Sequence, residues 1–103
     1  MFIMHTLYAL KPLVGERRTF EATFERYGHF VEDGRRVFTA CLRDVRERVD
    51  SPVVAEHTWI HASREWDVLH LERGDTVYFE ATIRERLDGK ITLCEAVPVG
   101  VRS

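Results

Sequence analysis

Two short groups of residues in this chain have the types and spacing to do chemistry. Tyr27, His29 and Phe30 sit just ahead of Arg35 and Arg36, and His57, Trp59 and His61 recur at every second position. Flat rings beside guanidinium groups are what a stacking platform with phosphate contacts requires, because bases stack on rings and arginine neutralises the backbone. The alternative for Phe30 is that it folds back onto its own domain as core. His57-x-x-x-His61 has the spacing that chelates a metal on a helix, where residues four apart share a face. On a strand, at about 3.3 Å per residue, the same spacing separates the two Cα atoms by about 13 Å, too far for one ion. The surroundings read as a strand, so no metal site is expected.

Other chemistries find little support. Cys41 and Cys94 each fall inside an expected strand, and no Gly-x-Ser-x-Gly elbow accompanies them. Glu80 and Glu85 read as solvated carboxylates on or beside a polar strand face, and there is no glycine-rich phosphate loop. The expectation is a non-enzymatic protein with no cofactor.

Composition narrows the partners. The 103 residues carry a formal net charge of −2, which argues against a strong non-specific binder of nucleic acid. The charge is uneven: residues 35–48 hold Arg35, Arg36, Arg43, Arg46 and Arg48 against only Asp44 and Glu47. This run reads either as a basic patch or as a solvated edge. Length fits a single domain over residues 1–103, and no apolar run approaches the roughly 20 residues of a membrane span. The N-terminal stretch lacks the features of a secretory leader, and two distant cysteines make no disulfide framework, so a cytoplasmic location is expected.

The elements that must position these residues alternate strongly. Val77, Phe79, Ala81 and Ile83 occupy one face of a strand, and Asp88-Gly89 supplies a tight turn into a partner strand from Ile91 to Val97. Arg17 to Tyr27 alternates through Phe20, Ala22 and Phe24 up to a bend at Gly28, and Arg36 to Val45 alternates through Phe38, Ala40 and Leu42 beyond a turn at Asp33-Gly34. Val53 to His61 is a third strand, and Ser63 fits the N-cap of a short helix reaching Leu71. Residues 1–16 are expected as an extension packed on the rest, a short strand or helical turn that Pro12 interrupts.

Strand, strand, strand, short helix, strand, strand is the order of the OB-fold, a mainly β, five-stranded Greek-key barrel with one short helix between strands three and four. The run Leu71-x-x-Gly74-Asp75-x-Val77-x-Phe79-x-Ala81 resembles the helix exit and fourth strand of OB-fold domains, and residues 17–99 would form the barrel. An SH3-like barrel is the competing architecture. Glu56-His57-Thr58-Trp59-Ile60 ahead of Ser63 is similar to small uncharacterised proteins of phages and mobile elements. The OB resemblance implies a ligand face on strands two and three, flanked by the loops Tyr27–Arg36 and Arg86–Lys90. It adds Arg86 and Lys90 to Tyr27, His29, Phe30, Arg35, Arg36, Arg43, His57, Trp59 and His61 as candidate binding residues.

The direction of Trp59 decides most. With Val54, Thr58 and Ile60 inward, His57, Trp59 and His61 form an outward stripe; with Val53, Ala55 and Trp59 inward, the indole is core. Two functions follow. One is a binding module for single-stranded nucleic acid or a nucleoprotein complex. The other is a protein-interaction module, in the manner of a phage-type (anti-CRISPR-like) inhibitor of a host defence complex, with Glu21, Glu25, Glu80 and Glu85 facing a basic groove.

Overall fold

A computed structural model describes residues 7–103. A 3-10 helix, Leu7–Leu13, precedes β1 (Arg17–Glu32), β2 (Arg35–Arg46), β3 (Ala55–His61), the helix α1 (Arg64–Asp67), β4 (Thr76–Glu85) and β5 (Ile91–Arg102). The five strands form one sheet in the order β3-β2-β1-β4-β5, every neighbouring pair antiparallel. Among the described residues no helix is long and apolar enough to cross a membrane.

The alternation in the sequence becomes the core. Val77, Phe79, Ala81 and Ile83 of β4 are fully buried against Phe20, Ala22 and Phe24 of β1 and Leu42 of β2. Phe20 and Phe79 stack at 5.6 Å between centroids, and Trp66 of α1 meets Phe79 edge-on at 5.7 Å. A buried aromatic trio of this kind supplies much of the apolar area that a small domain must remove from water.

Three expectations change. First, the sheet is not closed. β3 and β5, at its two edges, approach within 8 Å between Cα atoms, yet no hydrogen-bonded ladder joins them. Near that seam Trp66 donates its indole N–H to the Ala96 carbonyl of β5 at 2.8 Å, so a side chain satisfies an acceptor on the edge strand. Register shifts in the β1–β2 and β4–β5 pairs, with positive φ at Asp44 and Glu95, are the bulges that increase local twist and bring the edges round.

Second, the helix spans only Arg64–Asp67, not the stretch to Leu71. Ser63 occupies the N-cap position, but its hydroxyl donates to Glu65 at 3.2 Å rather than capping the backbone. Positive φ at His70 ends any further helical turn.

Third, no bend interrupts β1 at Gly28. The strand runs on to Glu32, pairing Gly28 with Thr39, Phe30 with Val37 and Glu32 with Arg35, and turns through Asp33 (φ 50°) and Gly34 (φ 74°). The expected loop Tyr27–Arg36 is therefore mostly strand. Because β4 pairs with β1 only up to Thr23, and β3 with β2 only from Thr39, residues 29–38 project as a two-stranded arm.

At the N-terminal end the 3-10 helix packs Leu10 into the core, and Gly15 and Glu16 exchange backbone hydrogen bonds with Ile83 at 2.7 and 2.9 Å. Pro12 is accommodated inside this 3-10 helix, whose φ it matches, rather than interrupting it. The part of the expected extension before Leu7 lies outside the described residues.

Candidate functional site

The pairing of β3 with β2 fixes which way Trp59 points. Ile60 opposes Ala40 and both are buried, so the alternate residues His57, Trp59 and His61 lie on the outer face. Trp59 is 47% exposed, so the outward arrangement holds and the core alternative is set aside.

Its indole is held by the strands beside it. Trp59 opposes Cys41, and Cys41 opposes Arg26, so one row crosses three strands. The Arg26 guanidinium lies 5.2 Å from the centre of the indole ring, within cation–π range. The six-membered ring reaches across to β1: a Cβ on Gly28 would stand 2.9 Å from Trp59 Cζ3 and 3.0 Å from Thr39 Oγ1. Gly28 thus serves a close approach between side chain and backbone, not a bend. Beneath the ring Cys41 is buried, and that burial pushes its thiol pKa up, with Arg26 opposing and Glu25 adding to the rise, so Cys41 is a poor nucleophile here.

One step along the stripe, the His61 ring sits 5.9 Å from Phe30 on the arm, the two planes inclined by 55°. Phe30 stays 41% exposed, so it has not folded back into the core. Between this pair and Trp59 lies a shallow cleft of about 320 Å³, floored by Gly28 and Thr39 and bordered by His29. A flat ring entering it meets aromatic surface on two sides.

At the other end of the stripe, His57 and Lys90 line a second cleft of about 490 Å³ with Tyr8, where the β4–β5 turn approaches β3. The Asp88 carboxylate accepts from the Lys90 backbone N–H at 3.0 Å and stands 3.9 Å from Arg86, which leaves the Lys90 ammonium as the free cation of that turn among the described residues.

The remaining candidates divide. Arg35 and Arg36 are exposed near the arm tip with no ion partner among the described residues. Arg43 is engaged: its Nε lies 2.9 Å from Glu25 Oε2, an ion pair without hydrogen-bond geometry, and Nη1 lies 3.7 Å from Asp44. Glu25, only 11% exposed at its side chain, also holds Arg73 at 2.7 Å. Tyr27 faces inward, where its hydroxyl donates to the Trp66 carbonyl at 2.8 Å and accepts from the Leu71 N–H at 3.1 Å. It pins the α1 region to β1 and is not free to stack on a ligand. Arg46 turns to the Val49 carbonyl at 3.2 Å, so the basic run of residues 35–48 is partly spent on local contacts.

Arg26, Gly28 and Thr39 were not among the candidate binding residues read from sequence. The signal that finds them is register: each neighbours Trp59 across strands, once the partner strands are known. Among the described residues no three His, Cys, Asp or Glu side chains come together as a metal-binding set. No family model, curated protein or solved structure matches the chain.

Proposed function

We propose that this chain is a non-enzymatic, OB-type binding module that holds single-stranded nucleic acid along the outer face of β2 and β3. The observation that carries the proposal is the exposed Trp59 indole, laid over Gly28 and beside Arg26, with a second aromatic pair, His61 and Phe30, across a cleft of about 320 Å³. Strand order supports the OB-type reading: β3-β2-β1-β4 is the spatial order of a Greek key, and β5 brings the sheet's far edge back toward β3.

An extended single strand exposes a flat base and a charged phosphate at each nucleotide, and a sequence-tolerant site needs rings for the first and cations for the second. Rings at alternate positions of β3 recur about every 6.6 Å, a spacing that suits an extended strand. Lys90 flanks one end of the stripe, and Arg35, which register places on the same face as Trp59, belongs to the arm at the other; Arg36, expected beside it, lies on the opposite face of the arm with Val31. Arg26 can contact a phosphate while its guanidinium stays over Trp59.

Titration of fluorescent single-stranded oligonucleotides at low salt tests this. Saturable binding that weakens in Trp59→Ala is expected; no binding at about 10 μM protein overturns the proposal.

The net charge of −2 favours a second reading, a module that binds a nucleic-acid-handling protein complex, as a phage-type inhibitor would. A host pull-down with nuclease treatment separates the two readings, since a protein partner survives nuclease.

A further inference from the structure

The arm has a second face, turned away from Trp59, that the proposed ligand does not use. Register puts Tyr27, His29 and Val31 of β1 on this face with Ala40, Phe38 and Arg36 of β2. Val31 is 68% exposed and Phe38 is 56% exposed, large apolar side chains on a ribbon with no third strand beside it. A two-stranded ribbon is marginal in water unless something packs on it. At its root the face opens into a groove of about 640 Å³ between the arm and α1, lined by Tyr27, His29, Phe38, Ala62, Arg64 and Asp67.

Charge on this surface is arranged in two complementary sets. Arg36 and the turn residue Asp33 mark the tip; Arg64 and Asp67 mark the rim of the groove. All four are exposed, and none has an ion partner among the described residues. We propose that this face docks a second copy of the chain, each arm tip seated in the other copy's groove about a two-fold axis.

The symmetry makes the argument. In an isologous contact the same surface serves both partners, so it must carry both halves of each interaction. Val31 lies two residues beyond His29, at the next pair on the same face, about 6.6 Å along the strand, so two arms laid antiparallel set each Val31 over the other copy's Phe38. The same placement brings Arg36 toward the Asp67 rim and Asp33 toward Arg64. A polyanion fits this surface badly, because its acids match its bases in number. An apolar small molecule would fill the groove yet leave four charges unanswered.

Sedimentation of the full chain over a concentration series tests the proposal. A mass rising toward twice the 12.1 kDa of one chain is expected, with half-dimerisation in the micromolar range. Arg36→Glu and Asp67→Arg should each weaken dimerisation at least about tenfold by placing like charges together. The double variant Arg36→Glu/Asp67→Arg, with the pair reversed, should regain it. A single variant that fails to fold by circular dichroism is replaced by Arg36→Gln or Asp67→Asn, for which weakening in the same direction is expected.

A wild-type chain that stays monomeric to about 100 μM overturns the proposal, and so does a double variant that folds but stays monomeric. Trp59→Ala should leave dimerisation unchanged, because that ring lies on the opposite face of the sheet. Loss of the dimer and loss of nucleic-acid binding are thus separate results.

Discussion

The outer surface of the sheet has two halves that solve solvation differently. Toward β4 and β5 two arginines of the strand face rest on polar partners: Arg17 reaches Thr82 Oγ1 at 3.1 Å and Glu80 at 3.7 Å, and Arg84 pairs with Glu95 at 3.1 Å. Around Trp59 the surface is ring and guanidinium, with Trp59, Phe30 and His61 open to solvent and Arg26 resting on an indole instead of a carboxylate. The first half is how a sheet face ordinarily meets water, with exposed ion pairs worth little each. The second half leaves aromatic surface exposed around one cleft, and it is on this feature that the proposed binding function rests.

Substitutions that break this contrast should differ in size. The largest effect is expected for Gly28→Leu, since even its Cβ would meet the indole at 2.9 Å. The ring must lift from the sheet, abolishing detectable oligonucleotide binding and costing about 1–3 kcal/mol in a urea melt. Trp59→Ala comes next: binding should fall by about 1–3 kcal/mol, roughly 5-fold to 160-fold, in the same titration. The melt should barely move, because the ring is half exposed.

Phe30→Ala removes one wall of the smaller cleft, so a loss of about 1 kcal/mol in binding is expected, near the lower end of the stacking range. Arg35→Ala should leave binding at one low salt concentration almost intact while flattening the plot of log affinity against log salt by roughly 0.7. Arg84→Ala, on the ion-paired half, completes the series. Its stability should change by less than about 0.5 kcal/mol and its binding not at all; a binding loss there equal to that of Trp59→Ala would erase the contrast.

How much of this was legible follows from where the information sits. Val77, Phe79, Ala81 and Ile83 announce their strand because one face is wholly apolar and the alternation is local. His57 to His61 announces a strand but not its direction: Trp59 and Ile60 offer an apolar residue to each face, and the choice rests on β2, some 18 residues earlier, where Ala40 meets Ile60 and Cys41 meets Trp59. Gly28 reads as a bend from sequence because glycine permits one. Its use as a landing for an indole from another strand is a tertiary fact.

The site was legible in part for the same reason. Residue type alone pointed to Phe30, Trp59 and His61, which the fold brings to one face. Tyr27 looked equivalent to Phe30, yet the register shift between Phe24 and Arg26 turns Tyr27 inward, where its hydroxyl has two backbone partners. Arg43 looked like a free cation until Glu25, eighteen positions earlier, came alongside. The helix was read too long because Trp66, Leu69 and His70 lie three and four apart, as on one helical face, whereas the backbone at His70 has already left the helical region.

The chain's two tryptophans stand in opposite surroundings, Trp66 fully buried with its N–H bonded to Ala96, and Trp59 open to water beneath a guanidinium. The protein therefore carries two optical reporters that need no label. Emission from Trp66 should be blue and should shift red only when the core opens, while emission from Trp59 should be red and should be quenched by a base stacked on it or by a small water-borne quencher such as acrylamide. Recorded together, the two bands separate occupancy from unfolding in a single cuvette, and Trp59→Ala isolates the buried channel.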